Sequence, residues 1–337
     1  MAEQLSHRGP DNLSFVVRYN TGFAHTRLSI LDVSSAGHQP MYNERYILCY
    51  NGEIYNYLEL KKELLKSGVD FQSSSDTEVL FHYLIQRGIS QTLRAIRGMF
   101  AFSFYDYETK KLYLCRDRLG IKPLNWILTS KGLFWASEVK SLQEVLPIEP
   151  DPIRTLTSIA STGEMSAENT VFKDVRQVRP GTYLQYEVGK TPEIHQYFDL
   201  IELIDQDYYH ELNKCDEETV LKTLNDLLDG SIESMLMSDV PIGAFASGGI
   251  DSSLISVFAK KHREDFNLFT ANVLGPFSEY SAVQCLSALT GASLHAYDFA
   301  SEMFIRDWTE TTYYYECPII TFGNAIPYSQ TSKGLDA

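Results

Sequence analysis

The chain has 337 residues, 44% of them apolar and 22% charged, and its 29 basic and 44 acidic side chains leave a formal charge of −15. That length divides into about two domains of ordinary size, and the apolar fraction excludes disorder as the overall state. No apolar run approaches the ~20 residues that span a bilayer, and this acidic chain has no basic stripe to hold nucleic acid. The opening, MAEQLSHRGPDN, lacks a basic cap followed by an apolar stretch, so no secretory signal is read there. The five cysteines, Cys49, Cys115, Cys215, Cys285 and Cys317, are widely spaced without a CxxC pair. This argues against a zinc ribbon or a thioredoxin motif and predicts buried free thiols in a cytoplasmic protein.

The first half reads as strands with a few helices. Leu13–Tyr19 and Gly22–Leu31 are rich in strand formers and meet at Asn20-Thr21, so an antiparallel pair is expected. Tyr46–Tyr50 is a further short strand. Tyr57–Lys66 sets Leu58, Leu60, Leu64 and Leu65 among charges, with Gly68 as a stop, which predicts an amphipathic helix. Ser75 and Glu78 have the spacing of a capping box opening a second helix to about Gln86, with Gly88 beyond it. Met99–Asp106, Lys111–Arg116 and Leu133–Ala136 return to strand character. Residues 147–206 are mixed, with a strand at Thr182–Glu187 after the Pro180-Gly181 turn.

The pattern changes after Gln206. Glu217–Leu236 carries a helical apolar stripe. It is followed by strand Val240–Ala246, helix Ser252–Lys261, strand Leu268–Val273, helix Tyr280–Leu289, strand Ser293–Phe299 and helix Met303–Thr312. Alternating strand and helix predicts a doubly wound parallel sheet with helices on both faces. Domains are accordingly expected at 1–200 and 207–337, the first α+β and the second α/β. Tyr313-Tyr-Tyr315 reads as core or interface filling.

Between the strand at 240–246 and the next helix lies Ser247-Gly248-Gly249-Ile250-Asp251-Ser252-Ser253. Small residues let backbone N–H groups approach phosphate oxygens, and the helix N-terminus and the Ser252 and Ser253 hydroxyls add donors. Asp251 suits a magnesium ion on those phosphates. The Gly-Lys-Ser/Thr ending of a Walker loop is missing, and so is a dinucleotide GxGxxG. On residue chemistry alone, a phosphate loop and a tight ligand-free turn both remain open.

The run Leu236–Ser253 resembles the ATP-pyrophosphatase loop of glutamine-hydrolysing asparagine synthetases. Segments of the first half resemble the class II glutamine amidotransferase domain of the same family: His7–Asp11, Ala24–Asp32, Gly37–Met41, Tyr50–Asn56, Ser75–Glu78, Arg97–Phe102, Cys115–Pro123 and Ala136–Lys140. The resemblance covers nearly the whole chain. It implies an αββα N-terminal-nucleophile sandwich followed by an ATP-binding α/β domain. It further implies amidation of aspartate through a β-aspartyl-AMP intermediate, with ammonia drawn from glutamine, ATP and Mg2+ as cofactors, and a homodimer. The glutamine site it implies comprises Arg27, Leu28, Ser29, Ile30, Leu31, Asn51, Gly52, Glu53 and Asp76. The planar fork of Arg27 suits the α-carboxylate, Asp76 suits the α-amino group, and Asn51 with Gly52 forms the oxyanion pair. The ATP site it implies comprises Ala246, Ser247, Gly248, Gly249, Asp251, Ser252, Ser253 and Ala271, with Asp251 also on the metal.

The family's nucleophile is an N-terminal cysteine, and this sequence reads Met1-Ala2-Glu3. No glutaminase activity is therefore expected from the chain as written. By the same resemblance, the family has an opening strand and helix before the His-Arg-Gly-Pro-Asp motif, and a piece of about 25–35 residues including one sheet strand is expected to be missing here. A second Ser-Gly-x-Gly-x-Asp-Glu signature follows the segment where this sequence stops, and Phe322–Thr331 resembles the helix leading to it. Both domains are thus read as incomplete, with exposed sheet edges and poor independent stability. Three other readings stand beside this one: a related adenylating enzyme such as a β-lactam-synthetase-like cyclase, a non-catalytic remnant, and an RNA-modifying enzyme. Arg27, Asn51-Gly52 and Asp76 favour glutamine use, and the negative charge counts against RNA.

Overall fold

The structure is a computed structural model and describes residues 1–161, 167–275, 278–319 and 325–334. It divides into two compact units, one of residues 1–157 and 164–204, the other of 158–163 and 205–337.

The first unit begins with a 3₁₀ turn at Ala2–Arg8 and continues through β1 (Asn12–Arg18), β2 (Thr21–Arg27), β3 (Met41–Tyr42), β4 (Tyr46–Ile54), α1 (Tyr57–Lys66) and α2 (Asp76–Ala95). After these come β5 (Gly98–Asp106), β6 (Lys111–Arg116), β7 (Asn125–Thr129), β8 (Gly132–Ala136), α3 (Val139–Gln143), α4 (Pro152–Ala160, its residues from Ser158 on assigned to the second unit), β9 (Arg176–Gln177), β10 (Thr182–Glu187) and β11 (Glu193–Gln196). Six strands form one antiparallel sheet in the order β11-β10-β6-β5-β4-β3, while β1-β2 and β8-β7-β9 form two smaller pieces. Side-chain alternation sets the layers. Ile47, Ala101, Tyr105, Leu114 and Leu184 of the large sheet pack against Phe23, Trp126 and Leu133 of the smaller pieces. Phe100 and Phe102 alternate to the opposite face, where α1 and α2 pack on each other and α2 covers β4. The outer face of β7-β8-β9 is closed by Val139 and Leu142 of α3 against Ile127 and Val175. The order is helix, sheet, sheet, helix.

The helices follow their sequence signals closely. In α1 the buried residues are Tyr57, Leu60 and Leu64, while Leu58 and Leu65 face solvent. Ser75 caps α2 by accepting from Thr77 N, but Glu78 does not complete the capping box. Its carboxylate instead accepts from the N–H groups of Gln72 and Ser73. Helical geometry breaks at Gly88, as expected, and then resumes as far as Ala95. Two strand boundaries differ from expectation. β2 ends at Arg27 rather than Leu31, because the chain turns there to wrap the Arg27 guanidinium. β4 runs on to Ile54, because Asn51, Gly52 and Glu53 stay paired with Ala101, Phe100 and Met99 of β5.

The second unit contains α5 (Gln206–Leu212), α6 (Glu217–Met235), β12 (Gly243–Phe245), α7 (Ile250–His262), β13 (Asn267–Val273), α8 (Tyr280–Thr290), β14 (Ser293–Phe299), α9 (Ser301–Tyr315) and α10 (Ala325–Gly334). The three strands are parallel in the order β12-β13-β14. Leu268 packs with Ala259 of α7 and Val283 and Leu286 of α8 on one face. On the other, Phe245 meets Phe269 and Tyr328 of α10. Helices therefore cover both faces of this parallel sheet. β12 is shorter than Val240–Ala246, and it is not a buried strand, since Phe245 is 41% exposed. Tyr313 and Tyr315 lie exposed on α9 instead of filling a core. Of the helix expected at Phe322–Thr331, residues 325–331 lie in α10, which runs on to Gly334; 322–324 lie outside the described residues. Only Cys115 is fully buried; Cys49 and Cys317 are half-buried, Cys215 and Cys285 exposed, and all five are free thiols. No described helix is long and apolar enough to cross a membrane.

Candidate functional site

One cavity of about 440 Å³ in the first unit is lined by Arg27, Leu28, Ile30, Leu31, Asn51, Gly52, Glu53 and Asp76. These are all the expected glutamine-site residues except Ser29, whose N–H is instead tied to Asp11 Oδ2 at 2.7 Å. Three elements supply them: the loop after β2, the carboxyl end of β4 and the start of α2.

Arg27 is buried, and much of its guanidinium is already committed. Nη1 donates to Ser34 O at 2.7 Å, and Nη2 donates to Leu31 O at 3.2 Å and to Asp32 O. Arg27 thus organises its own loop through both terminal nitrogens of its fork. Asp32 locks the loop to α2 by accepting from Ser34 N at 3.1 Å and Ser74 N at 2.7 Å. Burial pulls Arg27 below its ordinary range, opposed by the charges of Asp32, Asp11 and Asp76.

Asp76 is 5% exposed. Its Oδ2 accepts from Tyr50 Oη at 2.7 Å and from Ile54 N at 2.9 Å. Burial still dominates and pushes the carboxyl above its ordinary value. Glu53 moves the same way, from burial and from the like charge of Asp76, with Lys122 pulling it back. A cavity holding two carboxylates against buried cationic groups suits a zwitterion.

Asn51 Nδ2 and His25 Nδ1 are buried polar atoms with no hydrogen-bond partner among the described residues. His25 donates Nε2–H to Tyr50 O at 3.1 Å, which fixes the neutral tautomer, and burial lowers its pKa to about 4. His25, Tyr50 and Asn51 also line a second cavity of about 290 Å³, walled by Phe23, Ala24, Cys49 and Trp135. Cys49 lies only on that apolar side, and burial pushes its thiol up. No cysteine lines the cavity that holds Arg27 and Asp76.

Sequence reasoning missed Gln39, Tyr50, His25 and Lys122. Gln39 acts as a surrogate strand for Tyr50, donating Nε2–H to its O at 2.9 Å and accepting from its N at 2.6 Å. All four sit inside segments that carry the family resemblance, but residue type and spacing carry no sign of these contacts.

In the second unit Ala246, Ser247, Gly248, Gly249, Asp251, Ser252 and Ser253 form one strand-to-helix turn. Ala246 N–H donates to Phe269 O at 2.8 Å, which sets the turn beside β13, where Ala271 lies two residues further along. Ser247 Oγ and Ser252 Oγ lie 3.1 Å apart, and Gly249 N donates to Ser247 Oγ at 3.3 Å. No side chain caps α7, so its first N–H groups stay open to an anion. Gly248 has φ +80, and a Cβ there would lie 2.8 Å from Ala282 Cβ. Gly248→Ala is therefore expected to destabilise the unit by about 2 kcal/mol, read as a lower thermal midpoint. Among the described residues no group of three or more metal-ligating side chains occurs. Asp251 is a lone exposed carboxylate, which fits a magnesium ion carried mainly by phosphate oxygens and not a cage built by the protein.

A glutamine amidotransferase domain model matches residues 1–198, more than half of the chain, and an asparagine synthase model matches 223–330. This chain belongs to the glutamine amidotransferase domain family. It is 30% identical over 328 residues to asparagine synthetase [glutamine-hydrolyzing] 1 of Bacillus subtilis, covering 95% of this chain and 49% of that relative. Asparagine synthetase [glutamine-hydrolyzing] 2 of the same organism is 34% identical, over 84% of this chain and 38% of the relative. Asparagine synthetase B of Escherichia coli is 34% identical, over 78% of this chain and 41% of that relative. The chain spans about half the length of the first of these synthetases and less of the other two.

Proposed function

We propose that this chain carries the glutamine site and the ATP phosphate loop of an enzyme that amidates aspartate with nitrogen drawn from glutamine. The observation that carries the reading is the convergence of Arg27, Asn51, Gly52, Glu53 and Asp76 on one cavity. Arg27 holds the α-carboxylate of glutamine with the donors its loop leaves free. Asp76 and Glu53 take the α-ammonium group. Asn51 Nδ2 and the Gly52 N–H meet the oxygen of the side-chain amide as negative charge develops there. With no thiol in the cavity, the chain by itself binds glutamine without cleaving it.

On the ATP side, Ser247, Gly248, Gly249, Ser252 and Ser253 would hold the phosphates, and Ala246 and Ala271 would border the nucleoside. Asp251 would hold Mg2+, which supplies charge neutralisation on the departing pyrophosphate. The family resemblance extends the proposal to a cytoplasmic homodimer. The test is backbone NMR with each ligand added separately. L-glutamine is expected to move resonances of residues 25–31, 50–54 and 75–77, and ATP-Mg2+ those of 246–253. Glutamine-induced shifts confined to other residues, or none, would overturn the glutamine half; silence of the loop at millimolar ATP would overturn the other.

A further inference from the structure

The Cys115–Pro123 motif builds a densely hydrogen-bonded turn bordering the cavity. Asp117 accepts from Leu119 N at 3.1 Å and Ile121 N at 2.9 Å with one oxygen, and from Lys122 N at 3.0 Å with the other. Arg116 closes the turn from behind, donating to Lys122 O at 2.9 Å, Gly120 O at 2.7 Å and Val178 O at 2.8 Å. Both backbone polar groups of Lys122 are thus pinned by buried charged side chains. The turn delivers a half-buried lysine into the cavity wall beside Glu53 and Asp76.

The other cations there are engaged. Arg27 is tied to its loop, and His7 and Arg8 reach Glu138 at 3.0 and 2.8 Å. Lys140 is held by Glu138 as well, at 2.6 Å. Among the described residues, Lys122 Nζ makes neither a hydrogen bond nor an ion pair. A desolvated ammonium placed this way acts on the nearest carboxylate. Glu53 feels Asp76 from the start of α2 and Lys122 from the turn after β6. Tyr50 and Tyr55 flank it on and just past β4, while His25 and Arg27 from β2 and His7 and Arg8 from the 3₁₀ turn border the same cavity.

We propose that Lys122 is a positioning residue of this cavity: delivered by the Arg116–Asp117 turn, its ammonium keeps Glu53 charged beside Asp76, so that two carboxylates meet the ammonium group of the bound amino acid. The inference rests on reading the cavity as a glutamine site. Two measurements separate its failure from the failure of that reading.

The first needs no ligand. Carboxyl 13C NMR of glutamate-labelled protein is expected to show the Glu53 midpoint higher in Lys122→Met by about one pH unit and restored in Lys122→Arg. An unmoved Glu53 midpoint in folded Lys122→Met overturns the inference, whatever glutamine does. The second is the glutamine dissociation constant from pH 5 to 9. Its acidic limb is expected to shift upward in Lys122→Met and to converge on the wild-type curve toward pH 9. Equal loss of affinity at every pH would make Lys122 a direct contact and overturn the positioning role. No binding by the unaltered protein would sink the glutamine reading, and with it the purpose assigned to Lys122.

Discussion

Asp76→Asn is expected to weaken glutamine binding by about 100-fold, or about 2.7 kcal/mol, while raising the stability of the unliganded protein near neutral pH. Both effects come from one fact. The carboxylate is buried at the start of α2, and although Tyr50 Oη and Ile54 N donate to it, burial holds its pKa above the ordinary value. A carboxyl whose folded pKa is raised favours the fold in acid, below its unfolded pKa of about 4, and withdraws that support as pH rises through the folded value. At neutral pH the charge therefore costs stability beyond what these hydrogen bonds return, and a bound ammonium group offsets that remainder. Asparagine can still accept from Tyr50 Oη and Ile54 N on its single carbonyl oxygen, because both donate to Oδ2. It carries no charge to desolvate and none to attract the amine. Thermal melts should show the variant above the wild type at pH 7.5 and level with it near pH 4. Lower stability at pH 7.5 together with unchanged glutamine affinity would refute this view of Asp76.

Gly52→Ala is expected to destabilise the first unit by about 3 kcal/mol or more. Gly52 has φ +155, and a Cβ there would stand 2.1 Å from Met99 O and 2.7 Å from Phe100 Cα. Both atoms are backbone of the paired strand β5, held by the sheet from either side, so neither can yield cheaply. Gly230, inside α6, has open space around it, and alanine there should instead add up to about 1 kcal/mol. Urea midpoints for the two variants should move in opposite directions. A Gly52→Ala protein as stable as its parent would mean that the end of β4 is not held against β5 as described, and the oxyanion assignment of Asn51 and Gly52 would lose its basis.

The order of elements was largely legible because periodicity and punctuation agree in this chain. Leu60 and Leu64 mark the buried face of α1, Ser75 opens α2, and the polar turn after Asp106 closes a hairpin. Boundaries set by tertiary contact were not legible. β2 stops where Arg27 finds loop carbonyls, and β4 continues because β5 is beside it, although Asn-Gly in isolation signals a turn. Strand β7 went unread because its Trp126 and Ile127 are buried on both faces and so lack alternation. The cavity residues came from motif resemblance, and resemblance says which residues matter without saying what they touch. It could not show that Arg27 spends most of its donors on its own loop, that Gln39 holds Tyr50, or that Asp117 and Arg116 together place Lys122.

The central claim is that the cavity between the β2 loop, β4 and α2 takes glutamine by its amino-acid end. Isothermal titration of the chain with L-glutamine and, separately, with D-glutamine tests it most directly. The expected result is a single saturable site for the L form and none for the D form, because inversion at the α-carbon cannot place the carboxylate on Arg27, the ammonium group on Asp76 and the side-chain amide on Asn51 and Gly52 at once. Equal heats for the two enantiomers, or no saturable heat for either, would contradict it.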